Sequence, residues 1–264
     1  MSARNVRPTA TGSLFKEKSM LLHDSHGPGQ RTLTALRTMR GALLIAMYVL
    51  FAAVSSHASA AERAFRLTPF SVLELNLPAR YVIREASAAS ARIRGQADVI
   101  DRIVVEQHDG RVRIYVPGTI SIEGQLVIEV DTVGLNELAV TGTGEVAAYG
   151  FAGSEFSLRL SGAPVVRVAG LDVDKLRVEM QGSGTVDASG RASTERMRIA
   201  GSGEYRAAGL AADQVQVELD GSGSVQVMAR EGLEVRMSGS GGVRYRGEPK
   251  LSTRIDGSGT VERM

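Results

Sequence analysis

Seven glycine-centred motifs recur at an almost constant interval down the C-terminal half of this chain, and no other feature limits its fold so tightly. They read TGTGEV (141–146), SGAPVV (161–166), QGSGTV (181–186), AGSGEY (200–205), DGSGSV (220–225), SGSGGV (238–243) and DGSGTV (256–261). Their first glycines are Gly142, Gly162, Gly182, Gly201, Gly221, Gly239 and Gly257, spaced 20, 20, 19, 20, 18 and 18 residues apart. The second glycines are Gly144, Gly184, Gly203, Gly223, Gly241 and Gly259, with Pro164 in that place in the second motif. A period this regular marks a repeated supersecondary unit rather than a low-complexity tract.

Ahead of the motifs apolar residues alternate, as in Phe156, Leu158, Leu160 and in Leu176, Val178, Met180, then Val215, Val217, Leu219 and Leu233, Val235, Met237. Period two means a strand with one buried face. Behind each motif a second short strand opens on the column Val146, Val166, Val186, Tyr205, Val225, Val243, Val261, and closes near Gly150, Gly170, Gly190, Gly209 and Gly247, with Ala229 the exception. Each unit therefore reads strand, tight turn, strand, looser turn. Stacked in register, the units predict an all-β, single-stranded parallel β-solenoid with rungs of 18 to 20 residues, each bonded only to its neighbours. Seven rungs at about 4.8 Å make a rod of roughly 34 Å. Glycine suits the tight turn because it accepts positive φ and leaves no Cβ between stacked corners. If Gly184 takes positive φ, Gly184→Ala should cost about 1 kcal/mol.

The proposed register places Arg159, Glu179, Arg198, Glu218, Arg236 and Arg254 in one outward column three residues before each first glycine. Alternating charge along most of that column is expected to support the register, each exposed pair contributing about 0.2 to 1 kcal/mol. A polar ligand track is the functional alternative for the same face. Asp220 and Asp256 share another column with Ser238 between them, hence roughly 9.6 Å apart at two rung spacings. That is near the separation of an inverting glycosidase pair. The simpler reading is that both aspartates hydrogen-bond the adjacent turn; the same holds for Asp172 and Asp174. Residues two positions after each closing glycine are Val or Tyr, so the G-G-x-G-x-D calcium solenoid is not expected. Gly182-Ser183-Gly184 runs on into Thr185-Val186-Asp187, without the third glycine or the helix of a dinucleotide fingerprint. No cofactor and no metal are expected.

Before the repeats, residues 65–134 carry less regular strands: SVLELNL (71–77), ARYVI (79–83), IVVEQHDGRVRIYV (103–116) and GQLVIEV (124–130). Asp109-Gly110 between alternating runs predicts a hairpin, and ADVIDRI (97–103) a helical turn. Residues 61–134 are read as capping strands and first rungs, and 135–264 as the repeat solenoid, within one continuous domain over 65–264.

The first sixty residues read as an export address. Residues 41–54, GALLIAMYVLFAAV, form the long apolar run, with Arg31, Arg37 and Arg40 before it and Ala58-Ser59-Ala60 after it. Basic, apolar and small-residue regions in that order predict a signal peptide cleaved after Ala60; Met39, or else Met20, is the expected start. Fourteen apolar residues fall short of the roughly 20 that span a bilayer as a helix, so no membrane span is expected in the mature chain. The formal charge of +2 belongs to the leader. Residues 1–60 hold seven bases and two acids, leaving 31 − 7 = 24 bases against 29 − 2 = 27 acids, a mature charge of −3. A nucleic-acid role loses its support. With no Cys anywhere, disulfide scaffolds, thiol catalysis and Cys-type metal sites are excluded. One His, His108, remains beyond the leader, in the expected hairpin turn.

In its order of parts the chain resembles the autotransporter adhesins with a head GIN domain. The exported leader, an opening strand near Phe70-Ser71-Val72, ADVIDRI before the DG hairpin, GLNELAVTGTGEV, and the serial GSG turns all match that family over roughly residues 65–264. Gly162-Ala163-Pro164 departs from its turn pattern. The resemblance implies a right-handed β-helix with two main sheets, shaped like pectin-lyase-like proteins but without their catalytic residues, and a role in adhesion. The expectation is a non-catalytic, exported interaction module at the periplasm or cell surface, meeting glycans, envelope proteins or its own copies through the solenoid ends. The alternative is an extracytoplasmic carbohydrate-active β-helix enzyme, a lyase or inverting glycosidase, working through Asp220 and Asp256.

Overall fold

The computed structural model describes residues 4–5, 60–122 and 124–264. The apolar run, the cleavage motif up to Ser59 and both alternative starts lie outside the described residues. Strands make up 73% of the described residues, arranged as a β-solenoid of about six turns.

Before the repeats come β1 (Arg4–Asn5), β2 (Ala60–Arg66), β3 (Val72–Asn76), β4 (Arg80–Glu85), β5 (Ser90–Gln96), helix α1 (Ala97–Ile100), β6 (Val104–His108), β7 (Arg111–Tyr115) and β8 (Val127–Thr132). The repeats supply β9 (Glu137–Gly142), β10 (Glu145–Tyr149), β11 (Ala152–Gly162), β12 (Val165–Gly182), β13 (Thr185–Gly201), β14 (Glu204–Gly221), β15 (Ser224–Gly239), β16 (Gly242–Arg246), β17 (Lys250–Gly257) and β18 (Thr260–Arg263). From β9 onward every neighbouring pair is parallel.

Rung order in space departs from chain order at the start. β3 lies between β7 and β9, and β4 between β8 and β10, all parallel. The β7–β8 pass therefore sits beneath β3–β4, although it comes later in the chain. Beyond it the pairing turns antiparallel: β2 on β5, β5 on β8, and β6 on β7. Those reversed strands cover the β7–β8 edge of the parallel stack, which a solenoid would otherwise present there. Val99 and Ile100 of α1 are buried in this cap. The β6–β7 turn holds Asp109 at φ 46° and Gly110 at φ 72°, the two left-handed residues that a two-residue hairpin demands.

The repeat half is set by its glycine corners. Gly142, Gly162, Gly182, Gly201, Gly221, Gly239 and Gly257 form one unbroken column of register partners. All seven take positive φ, between 99° and 138°. The second glycine of each motif does not, and Gly184 is among these, so its expected left-handed conformation is corrected. Gly184 is small for a different reason: a Cβ there would lie 2.9 Å from the Pro164 carbonyl oxygen of the rung below. Two backbone hydrogen bonds tie each corner to the one beneath it. In one rung Ser222 N donates to Gly201 O and Ser224 N to Gly203 O, both at 3.0 Å. The N–H of the second glycine takes no part in this pattern. Pro164, which has no N–H, therefore keeps the pattern intact: Ala163 N donates to Gly142 O at 2.9 Å, Val165 N to Gly144 O at 3.0 Å, and Gly162 holds φ 101°.

Variation in rung length is absorbed at the looser corner. Register slips occur between Val168 and Leu171, Asp187 and Ser189, and Ala207 and Ala211, whereas the glycine corners stay aligned throughout. The core is the stack of inward columns, with the alternating apolar residues of β11, β12, β14 and β15 buried and Val146, Val166, Val186, Val225 and Val243 fully so. Phe151 and Phe156 stack with ring centres 5.0 Å apart.

The corner geometry separates two costs. Gly142→Ala strains φ but meets open space, whereas Gly221→Ala strains φ and drives its Cβ to 2.3 Å from Gly201 O. Thermal melts should show a loss of about 1 kcal/mol for Gly142→Ala and about 3 kcal/mol or more for Gly221→Ala. Equal losses would mean that stacking of the corners is not what excludes a side chain.

Candidate functional site

The outward residues of β11 to β17, just before the corner, form a continuous surface of aligned side chains. Because a strand exposes every second side chain, each outward position becomes a column running along the rod. Arg159, Glu179, Arg198, Glu218, Arg236 and Arg254 are successive register partners in one such column. Asp220, Ser238 and Asp256 are successive partners in the next. The two columns border a groove of about 340 Å³, lined among others by Arg198, Asp220, Arg236, Ser238, Arg254 and Asp256.

Charge pairing within the groove is uneven. Arg159 reaches Glu179 at 3.5 Å and also pairs with Glu137. Arg236 lies 3.7 Å from Glu218 and 2.5 Å from Glu234 of its own strand. Arg254 contacts Asp256 at 3.8 Å, the limit of an ion pair. Arg198 forms no ion pair among the described residues, although Glu179 and Glu218 are its register neighbours. Arg236 and Arg254 stand on adjacent rungs with like charge, a pairing that costs stability in a sheet.

Asp220 and Asp256 are thus set two rungs apart on one face, with Ser238 between them. Asp172 is elsewhere, held by Arg191 of the next rung in a two-pronged pair that includes a 2.6 Å contact. That hydrogen bond keeps its carboxyl below the usual carboxylate range. His108, at the tip of the cap hairpin, lies 2.9 Å from Asp109. Among the described residues no three His, Asp or Glu side chains cluster as metal ligands.

A strongly perturbed carboxyl lies inside the repeats, at a position that periodicity alone does not mark. Glu195 is fully buried, in the inward column whose register partners are Leu176 on β12 and Val215 on β14. Tyr205 is also fully buried, in the column otherwise held by Val, and its hydroxyl donates to Glu195 Oε1 at 2.6 Å. Glu195 Oε2 has no partner. Burial pushes the Glu195 carboxyl up to about 7, with the Tyr205 hydrogen bond pulling the other way. Burial also raises the Tyr205 phenol well above its ordinary value, and the facing carboxylate adds to this. Column alignment would have exposed the pair, because Glu stands in an apolar column and Tyr stands in a Val column within ten residues of each other.

A parallel stack, capped at one end and bearing charged columns outside, defines a β-solenoid whose features lie on its outer faces. The model of the family described as "putative auto-transporter adhesin, head GIN domain" matches residues 69–249, and the chain belongs to that family. Among solved structures, an adhesin-named protein of Bacteroides fragilis aligns with a TM-score of 0.74 at 21% identity, covering 78% of this chain and 97% of that one. A protein of Parabacteroides distasonis titled as lipid binding aligns with a TM-score of 0.63 at 20% identity, covering 78% and 96%. An adhesin-named protein of Parabacteroides merdae gives 0.62 at 19%, over 78% and 96%. These likenesses show the fold. No curated protein matches the chain. Among the described residues no helix is long and apolar enough to cross a membrane.

Two measurements follow. Glu195 keeps its proton in the folded state up to about pH 7, whereas the unfolded chain loses it near 4.5. The folded state is therefore favoured fully below pH 4.5, and that advantage is lost as pH rises to about 7, a change of about 3 kcal/mol. Urea midpoints compared with those of Glu195→Gln should diverge across that window, and parallel curves would refute the assignment. On the outer face, Glu218→Arg aligns four arginines on successive rungs. It should lower stability by about 1 kcal/mol at low salt and recover at high salt; an unchanged melt would undercut the column's contribution.

Proposed function

We propose that this chain is an exported, non-catalytic, adhesin-like interaction module that meets its targets through the outward columns of the solenoid. The observation that carries the reading is the arrangement of Arg159 to Arg254 and Asp220 to Asp256 as aligned columns on one rigid face. Family membership supports the adhesin-like role. The face is built by backbone stacking, so its side chains can be selected for a partner without disturbing the fold. Interleaved guanidinium donors and carboxylate acceptors suit a polar partner such as a glycan or another envelope protein, since both need hydrogen bonds in each sense. Such a surface module works at the cell surface, reached by export.

The enzymatic alternative draws on the same groove, because Asp220 and Asp256 flank it at two-rung separation. A carbohydrate-active site would release reducing ends from a polysaccharide and lose that activity in Asp220→Asn. On the reading proposed, no such release occurs, and activity of this kind would replace the first proposal.

Location is tested by protease treatment of intact cells carrying an epitope-tagged chain, with a periplasmic protein as control. Digestion of the tag while the control survives is expected. Protection until the outer membrane is opened would overturn surface contact with external partners.

A further inference from the structure

The β17 rung is unlike every other among the described residues. β17 pairs on one side with β15, and its other edge carries no strand among the described residues. Its inward residues continue the core columns, Leu251 under Leu233 and Ile255 under Met237. Leu233 and Met237 are 2% and 3% exposed, whereas Leu251 and Ile255 are 42% and 38% exposed. The core is open at this end, while at the other end antiparallel β2, β5 and β6 close the stack.

We propose that β17 is a self-recognition edge, and that two copies of this chain pair β17 against β17 in antiparallel register centred on Thr253. That register sets Leu251 opposite Ile255 of the second copy and Thr253 opposite its counterpart, all on the inward face, so the exposed core columns cover one another. On the outward face it sets Lys250 opposite Asp256 of the second copy, and by symmetry Asp256 opposite the second Lys250. Ser252 falls opposite Arg254. Because side chains alternate faces, competing registers shift by two residues in partner position. Centring on Ser252 sets Lys250 against Arg254, and centring on Arg254 sets that arginine against itself; like charges directly opposite are destabilising. Centring on Ile255 does bring Arg254 opposite Asp256, but it leaves Leu251 uncovered. The Thr253 register alone joins opposite charges and buries both exposed apolar residues.

The geometry also selects the kind of assembly. A head-to-tail contact would set β17 against the antiparallel strands of the capped end and leave the Lys250–Asp256 pairs unmade. What remains is an isologous contact about a two-fold axis perpendicular to the rod, which closes at two copies and does not propagate. This inference concerns the end of the rod and does not depend on what the outward columns bind.

Light scattering on the intact protein across micromolar concentrations should give a dimer in equilibrium with monomer, weakened by added salt. Lys250→Asp and Asp256→Lys each place like charges in opposition and should weaken dimerisation by about tenfold or more. The double variant Lys250→Asp with Asp256→Lys exchanges the charges and should return to near the parent affinity. Both positions are exposed, so melting temperatures should hardly move. A monomer at all concentrations, a larger assembly, or a double variant no tighter than either single would overturn the proposal. If a single variant misfolds, the salt dependence and stoichiometry of the parent protein still decide it.

Discussion

Backbone stacked directly on backbone at one corner is the constraint from which the rest of this molecule follows. At the first glycine of each repeat the chain takes positive φ, and a Cβ on six of the seven would come within 2.2 to 2.7 Å of the carbonyl oxygen of the glycine below. No side chain fits at those six positions, and so the register of the column cannot drift. Every other column is then placed by counting from it: apolar residues at even offsets enter the core, and charged residues at odd offsets face out. The looser corner has no such lock, which is why insertions and the register slips collect there.

The same lock explains how the core accommodates Glu195. An isolated carboxylate in an apolar column is among the costliest substitutions a core can take, unless it stays protonated or is bonded. Here both escapes are used. Tyr205 replaces a valine across the lumen and supplies one hydrogen bond, and burial favours the protonated acid. With the backbone frame held from the corner, a polar pair inside one rung perturbs that rung without shifting the ones above and below it. Solenoid energetics are local in this sense, because each rung answers only to its neighbours.

Much of this architecture was legible in the sequence because repetition supplies its own controls. The spacing of Gly142 to Gly257 and the alternation in LRVEM or VQVEL each fix a strand and its facing, and seven copies agree. The hairpin at Asp109-Gly110 and the helical turn at residues 97–100 were legible from local chemistry. Three things were not. Chain order does not reveal that β7–β8 lies beneath β3–β4, since that placement depends on non-local parallel pairing. The role of the second glycine could not be told from its identity, because left-handed φ and close approach both select glycine, and only the stacking of Gly184 against Pro164 separates them. The Glu195–Tyr205 pair escaped because its two members sit in different columns of one rung, on either side of the Gly201 corner, and each looks tolerable until the columns are set side by side.

What a fold of this kind binds is the least legible property of all, and the reason is structural. Outward positions contribute little to stacking, so the lattice accepts Arg, Glu, Ser or Gly at any of them, and sequence alone does not distinguish a ligand column from a merely solvated one. The informative departures are those that work against stability. Arg236 above Arg254 is such a departure. A column kept only for solubility would have alternated to its end, as it does from Arg159 to Arg236. The break in alternation falls where the groove lies, next to Asp220 and Asp256, so on the function proposed the last three rungs are where the outer face departs from what stability alone would select.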